Sequence, residues 1–118
     1  MFDFELKTSF KVWLSNSKGD YVIGKGGAEL LKGIEETQSI SKAAANLRPK
    51  RISYRKAWGM LQKIKDHIGK DPVESTPGGK GGGGTVLTDS GRELLETYLE
   101  FEELMTQTNK NFQKKMKK

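Results

Sequence analysis

Arg48, Lys50, Arg51, Arg55, Lys56, Lys63 and Lys65 fall in a stretch, residues 48–65, that contains no acid. Guanidinium and ammonium groups at that density suit phosphate oxygens, and a long arginine can also offer two parallel N–H donors to a guanine edge. A second stretch, Gly-Gly-Lys-Gly-Gly-Gly-Gly at 78–84, would let backbone N–H groups approach phosphates, with Lys80 at the tip. It formally matches G-x-G-x-x-G, but a glycine run matches any such pattern. No long buried strand precedes it and no Gly-Lys-Ser/Thr follows, so a nucleotide-using enzyme is not expected. The acid pairs Glu35/Glu36 and Glu102/Glu103 are sequence neighbours that diverge on a helix, which makes them solubilising charges rather than an acid/base pair. Cysteine is absent and His67 is the single histidine, which excludes thiolate zinc, iron–sulfur clusters and disulfides. No catalytic constellation, metal site or cofactor is expected.

Whole-chain composition points the same way. Lys plus Arg number 21 against 15 acids, a net charge of +6 over 118 residues, and such a field favours a polyanion. With 34% hydrophobic residues the chain can build one modest core, so residues 1–118 read as a single domain. No apolar run approaches the roughly 20 residues of a membrane helix, and the mixed, acidic start is not a signal peptide. The expectation is a cytoplasmic protein with no membrane partner.

The elements that must position these groups follow from periodicity. Phe10, Val12 and Leu14 alternate with Lys11, Trp13 and Ser15, and Tyr21, Val22 and Ile23 follow a turn-rich Asn-Ser-Lys-Gly-Asp, which predicts a β-hairpin. Leu30, Leu31 and Ile34 then predict a helix from about 26 to 37. Ser39 caps a second helix over 40–47 whose small residues Ala43 and Ala44 let another helix approach closely. Pro49 stops it. A third helix over 53–68 places Tyr54, Ala57, Trp58, Leu61, Ile64 and Ile68 on an apolar face, with Trp58 read as core. Arg55, Lys56, Gly59, Gln62, Lys63 and Asp66 form its polar face. Gly69 terminates this helix, near whose end His67 is placed to meet terminal carbonyls. Two short strands then flank the glycine run, and Thr88 caps a last helix over 89–113, followed by a frayed basic tail, 114–118. On that helix Leu94, Tyr98, Phe101, Met105, Thr108 and Phe112 are spaced 4, 3, 4, 3, 4, the alternation of a pairing seam.

Helices two and three with their short connection match a helix-turn-helix, in which the start of the second helix enters the major groove. A ribbon after them makes a wing. The fold class expected is therefore mainly α with small β: a winged helix-turn-helix over residues 10–88 with an N-terminal hairpin, and a long C-terminal dimerisation helix. Cations gather on the DNA side, while Glu93, Glu96, Glu100, Glu102 and Glu103 gather on the pairing helix.

The segments 30–44, 52–58, 78–84 and 87–91 resemble the DNA-binding domain of the ModE family of molybdate-responsive regulators, over roughly residues 10–105. The most specific parts are Ser-Tyr-Arg-Lys-Ala-Trp at 53–58 and the glycine wing; Ser-Ile-Ser-Lys-Ala-Ala at 39–44 is shared with LysR-type regulators. The resemblance implies a homodimer on double-stranded DNA with a palindromic operator, Ser53, Tyr54, Arg55 and Lys56 opening the recognition helix. Gly59, Gln62 and Lys63 would face the duplex, with Arg48, Lys50, Arg51 and Lys80 adding phosphate contacts. Leu94, Tyr98, Phe101, Met105 and Phe112 would pair the copies. Two departures stand out: the connection at 48–51 is about three residues longer than the family's tight turn, and no SARNS-like ligand segment appears. Molybdate is therefore not expected to bind this chain directly. The alternative reading is an interaction adaptor, or a nonspecific nucleic-acid binder, that pairs through its last helix.

Overall fold

A computed structural model describes residues 2–79 and 82–117. In chain order the elements are β1 (Leu14–Ser15), β2 (Tyr21–Ile23), α1 (Lys25–Thr37), α2 (Ile40–Ala45), α3 (Tyr54–Ile68), β3 (Val73–Gly79), β4 (Gly82–Leu87) and α4 (Asp89–Met116). The architecture is mainly α with two small antiparallel hairpins, β1–β2 and β3–β4.

Helix α1 lies at the centre because its apolar residues cover more than one side: Ala28, Leu30, Leu31 and Ile34 are all buried. Ala43 and Ala44 of α2, Ala57, Leu61 and Ile64 of α3, Ile23 of β2, Leu87 of β4 and Leu95 and Tyr98 of α4 complete one core. The α1–α2 approach depends on missing atoms, since a β-carbon at Gly33 would sit 2.9 Å from the Ala43 β-carbon. Three helices begin on side-chain caps: Ser39 accepts the Lys42 N–H, Ser53 the Lys56 N–H and Thr88 the Gly91 N–H, each at 3.1 Å. Each such cap stabilises its helix by about 1 kcal/mol. Gly69 ends α3 at φ 76°, a left-handed position that favours glycine, and its N–H donates to the Lys65 carbonyl at 2.8 Å.

The roots of β3–β4 are fixed at both ends. The Thr85 N–H donates to the carbonyl of Gln38, the residue that closes α1, at 2.9 Å. Thr88 N–H donates to the Pro72 carbonyl at 3.0 Å and its hydroxyl to the Asp71 carbonyl. Gly91 lies so close over Pro72 that a β-carbon would collide with that carbonyl.

Three boundaries differ from expectation. The first hairpin is shorter, because only Leu14–Ser15 pairs with β2 and Phe10 and Val12 stay outside the ladder. The residues before it follow α4 instead: Thr8 N–H donates to Gln113 Oε1 at 2.7 Å, Thr8 meets Asn109, and Gln113 Nε2 donates to the Leu6 carbonyl at 2.9 Å. Helix α2 ends at Ala45, where Asn46 takes the C-cap. Helix α4 runs past 113 to Met116, as Lys114 and Lys115 complement the negative end of the helix dipole.

Candidate nucleic-acid interface

The cationic cluster is gathered around the start and the outer face of α3. Ala57, Leu61 and Ile64 turn inward, which leaves Arg55, Gly59, Gln62 and Asp66, spaced 4, 3 and 4, along the outermost ridge. Arg55, Lys56 and Lys63 are exposed, as are Lys50 and Arg51 just before the helix. Among the described residues none of these five forms an ion pair, whereas Lys65 pairs with Asp71 at 3.1 Å. Ser53 holds the helix start with its oxygen and keeps its own O–H free to donate outward. Arg48 turns back, its Nη1 donating to the Leu47 carbonyl at 2.9 Å and more weakly to that of Ala45 at 3.4 Å, so it closes the end of α2. Lys80 lies outside the described residues.

Gly59 is informative because nothing in its own chain calls for a glycine. A β-carbon there would meet no atom within 4 Å. A helical glycine costs roughly 0.8–1 kcal/mol relative to alanine. The helix backbone at the middle of this ridge is therefore open to close approach from outside.

Two aromatic residues are placed differently from the sequence expectation. Trp58 is 50% exposed and Tyr54 53% exposed, so neither belongs to the core. The reason is angular: the core stripe of α3 is Ala57, Leu61 and Ile64, and Trp58 stands about 100° round the helix from Ala57. Met60, Lys63, Ile64 and His67 border a cavity with β2 and the start of α1, and Tyr54 and Trp58 occupy the other flank of the helix. His67 also departs from expectation. Its backbone carbonyl accepts the Asn16 side-chain amide at 3.0 Å, while its buried Nδ1 has no partner among the described residues.

The expected pairing seam divides in two. Tyr98 is 2% exposed, sits in the core of its own chain and donates to Glu102 Oε2 at 3.2 Å; burial first, then the Glu102 charge, pushes its phenol up to about 12. It is thus corrected from a pairing to a core residue. Leu94 and Met105 pack partly against the same core. Phe101 and Phe112 remain exposed, joined by Leu104, and the segment along α4 adds exposed Phe2, Phe4 and Leu6. That segment was missed in the sequence; it forms no strand, and the Phe2 and Phe4 rings stack on each other with centroids 5.3 Å apart.

No protein-family model matches the chain. Individual relatives do. The molybdenum-pterin-binding protein MopB of Rhodobacter capsulatus is 38% identical over 93 residues, 76% of this chain and 33% of that protein. The transcriptional regulator ModE of Haemophilus influenzae is 39% identical over 69 residues, 58% of this chain and 26% of its own length. The DNA-binding transcriptional dual regulator ModE of Escherichia coli K12 is 41% identical over 69 residues, again 58% of this chain and 25% of its own length. The chain spans a third or less of the length of these relatives. None of the three names describes an enzyme. By these identities the chain belongs to the ModE family.

Proposed function

We propose that this chain is the DNA-binding domain of a sequence-specific transcription regulator, a winged helix-turn-helix that dimerises on a palindromic operator. The observation that carries the reading is the outer face of α3, where Arg55, Lys56 and Lys63 surround Gly59 with open space above it. Helix α2 braces, α3 enters the major groove, and β3–β4 is the wing along the phosphates. Arg55 is placed to read a guanine edge, and Lys50, Arg51, Lys56 and Lys63 supply salt-sensitive phosphate contacts. The name of the Escherichia coli relative, a DNA-binding transcriptional regulator, supports the same assignment.

The dimer surface is the distal half of α4 with the segment beside it. Phe101, Leu104 and Phe112, with Phe2, Phe4 and Leu6 alongside, expose more large apolar side chains than a solitary chain gains from leaving in water. Two copies joined there would present two α3 helices to successive major grooves about 34 Å apart. Recognition of molybdate or a pterin is assigned to none of the residues of this chain.

Selection from a random duplex library at about physiological salt, with the mass of the same sample measured, tests the proposal. An enriched inverted repeat bound by a dimer supports it. Binding without an enriched sequence favours a nonspecific nucleic-acid binder, and a monomer with no duplex affinity favours an adaptor whose α4 pairs with another protein.

A further inference from the structure

Tyr54 and Trp58 are one helical turn apart on α3, on the flank away from β2, and each leaves half of a large aromatic surface in water. Indole is costly to expose, and the core of this chain has left it outside. The surrounding groups determine what can cover it. Arg55, on the next position of α3 after Tyr54, and Arg51 just before the helix are exposed and positive, which favours a polyanion over a basic protein surface. On duplex DNA the apolar group displayed in the major groove is the 5-methyl of thymine. Gly59, beside Trp58 in the chain, removes the side chain that would hold α3 away from the groove floor.

We infer that Tyr54 and Trp58 form an apolar edge that reads thymine methyl groups, so that operator half-sites contain thymine at positions these rings cover. The inference rests on the DNA-binding reading above and assigns Trp58 a specificity role. Arginine contacts to guanine and aromatic contacts to thymine would then be read from neighbouring positions of one helix.

The test uses the full chain and the duplex obtained by selection, with each thymine replaced in turn by deoxyuridine, which keeps the hydrogen-bonding edge and removes only the methyl. Loss of one covered methyl is expected to weaken binding by about fourfold, from the transfer free energy of one such group. Trp58→Ala is expected to weaken binding to the thymine duplex and to abolish the thymine–uracil difference. A half-exposed site tolerates that change, and a matching thermal midpoint checks the fold. In a Trp13→Phe background Trp58 is the sole tryptophan, and its emission is expected to shift on the thymine duplex more than on the uracil duplex. Equal affinity for thymine and uracil at every position overturns the inference while leaving DNA binding intact. So does a methyl preference that survives Trp58→Ala, or an enriched half-site without thymine. Absence of binding to any duplex removes the DNA reading itself, and the inference with it.

Discussion

Two helices of this molecule leave one side uncovered, and they leave different chemistry there. Along α3 the exposed side carries Arg55, Lys56 and Lys63 around a glycine with open space above it. Along the distal half of α4 the exposed side carries Phe101, Leu104 and Phe112. The first surface is well solvated alone and gains most from a polyanion that releases its counterions on contact. The second is poorly solvated alone and gains from any dry, complementary surface, for which a second copy is the simplest candidate. On the proposed function, the contrast separates the surface that meets the duplex from the surface that pairs two copies.

Breaking the α4 side should have the largest effect. Leu104→Asp with Phe112→Asp places charges on an apolar surface without touching the core, and is expected to yield a monomer of nearly unchanged thermal midpoint. Affinity for a palindromic duplex should fall by about a hundredfold or more, because linked binding of two half-sites is lost. Sedimentation and duplex titration on one sample check this, and a variant that stays dimeric would move the pairing surface elsewhere.

Next in size is the split within α3. Arg55→Ala should cost about 1–3 kcal/mol on the selected operator and relax its sequence preference. Lys56→Ala should instead weaken all duplexes alike and lower the salt slope by about one. Titrations at several salt concentrations separate the two, and identical behaviour would assign both residues to phosphates.

A third prediction tests where the core ends along α4. Tyr98 ionises at 10.0 when unfolded and about 12 when folded. Its contribution to stability is therefore complete below pH 10 and lost as pH rises towards 12, because the unfolded chain releases this proton first. Tyr98→Phe should flatten the alkaline fall in thermal midpoint over that window, and an unaltered profile would assign the fall to other groups.

The smallest effect has opposite signs in two measurements. Gly59→Ala should stabilise the fold by about 0.5–1 kcal/mol, since nothing opposes a methyl there and a helical glycine is entropically costly. The same change should weaken duplex binding by crowding the approach. Stabilisation without weaker binding would show that the duplex does not come close at this position.

Most of this organisation was legible in the sequence, for identifiable reasons. The caps at Ser39 and Thr88 and the stop at Gly69 are local chemistry, decided within four residues, and each is found as expected, whereas Ser53, read as the first helical residue, is the cap itself. The cationic cluster was equally plain, since charge is read directly from residue type. What periodicity could not settle was the width of an apolar face. Trp58 adjoins Ala57 in sequence, but α3 meets its neighbours through a narrow stripe of Ala57, Leu61 and Ile64, and the indole falls outside it. The α4 seam failed in the opposite direction. A spacing of 4 and 3 is satisfied equally by a neighbour in the same chain, and Tyr98 turned inward because α1 and α4 share one core. The segment before β1 was hidden for a third reason: its hydrogen bonds join residues more than 100 positions apart, beyond any local pattern.

The unbroken course of α4 has a geometric consequence. Its 28 residues span about 42 Å, and its first turn is locked to Pro72 at the root of the β3–β4 hairpin. Rotation at the tip is therefore delivered to the root without a joint to absorb it. One residue inserted after Tyr98 would swing the distal face by about 100°, whereas seven would restore its direction and lengthen the arm by about 10 Å. In the proposed dimer, the angle between the two α3 helices would then be stored as a residue count, and operator spacing would be set by the phase of α4.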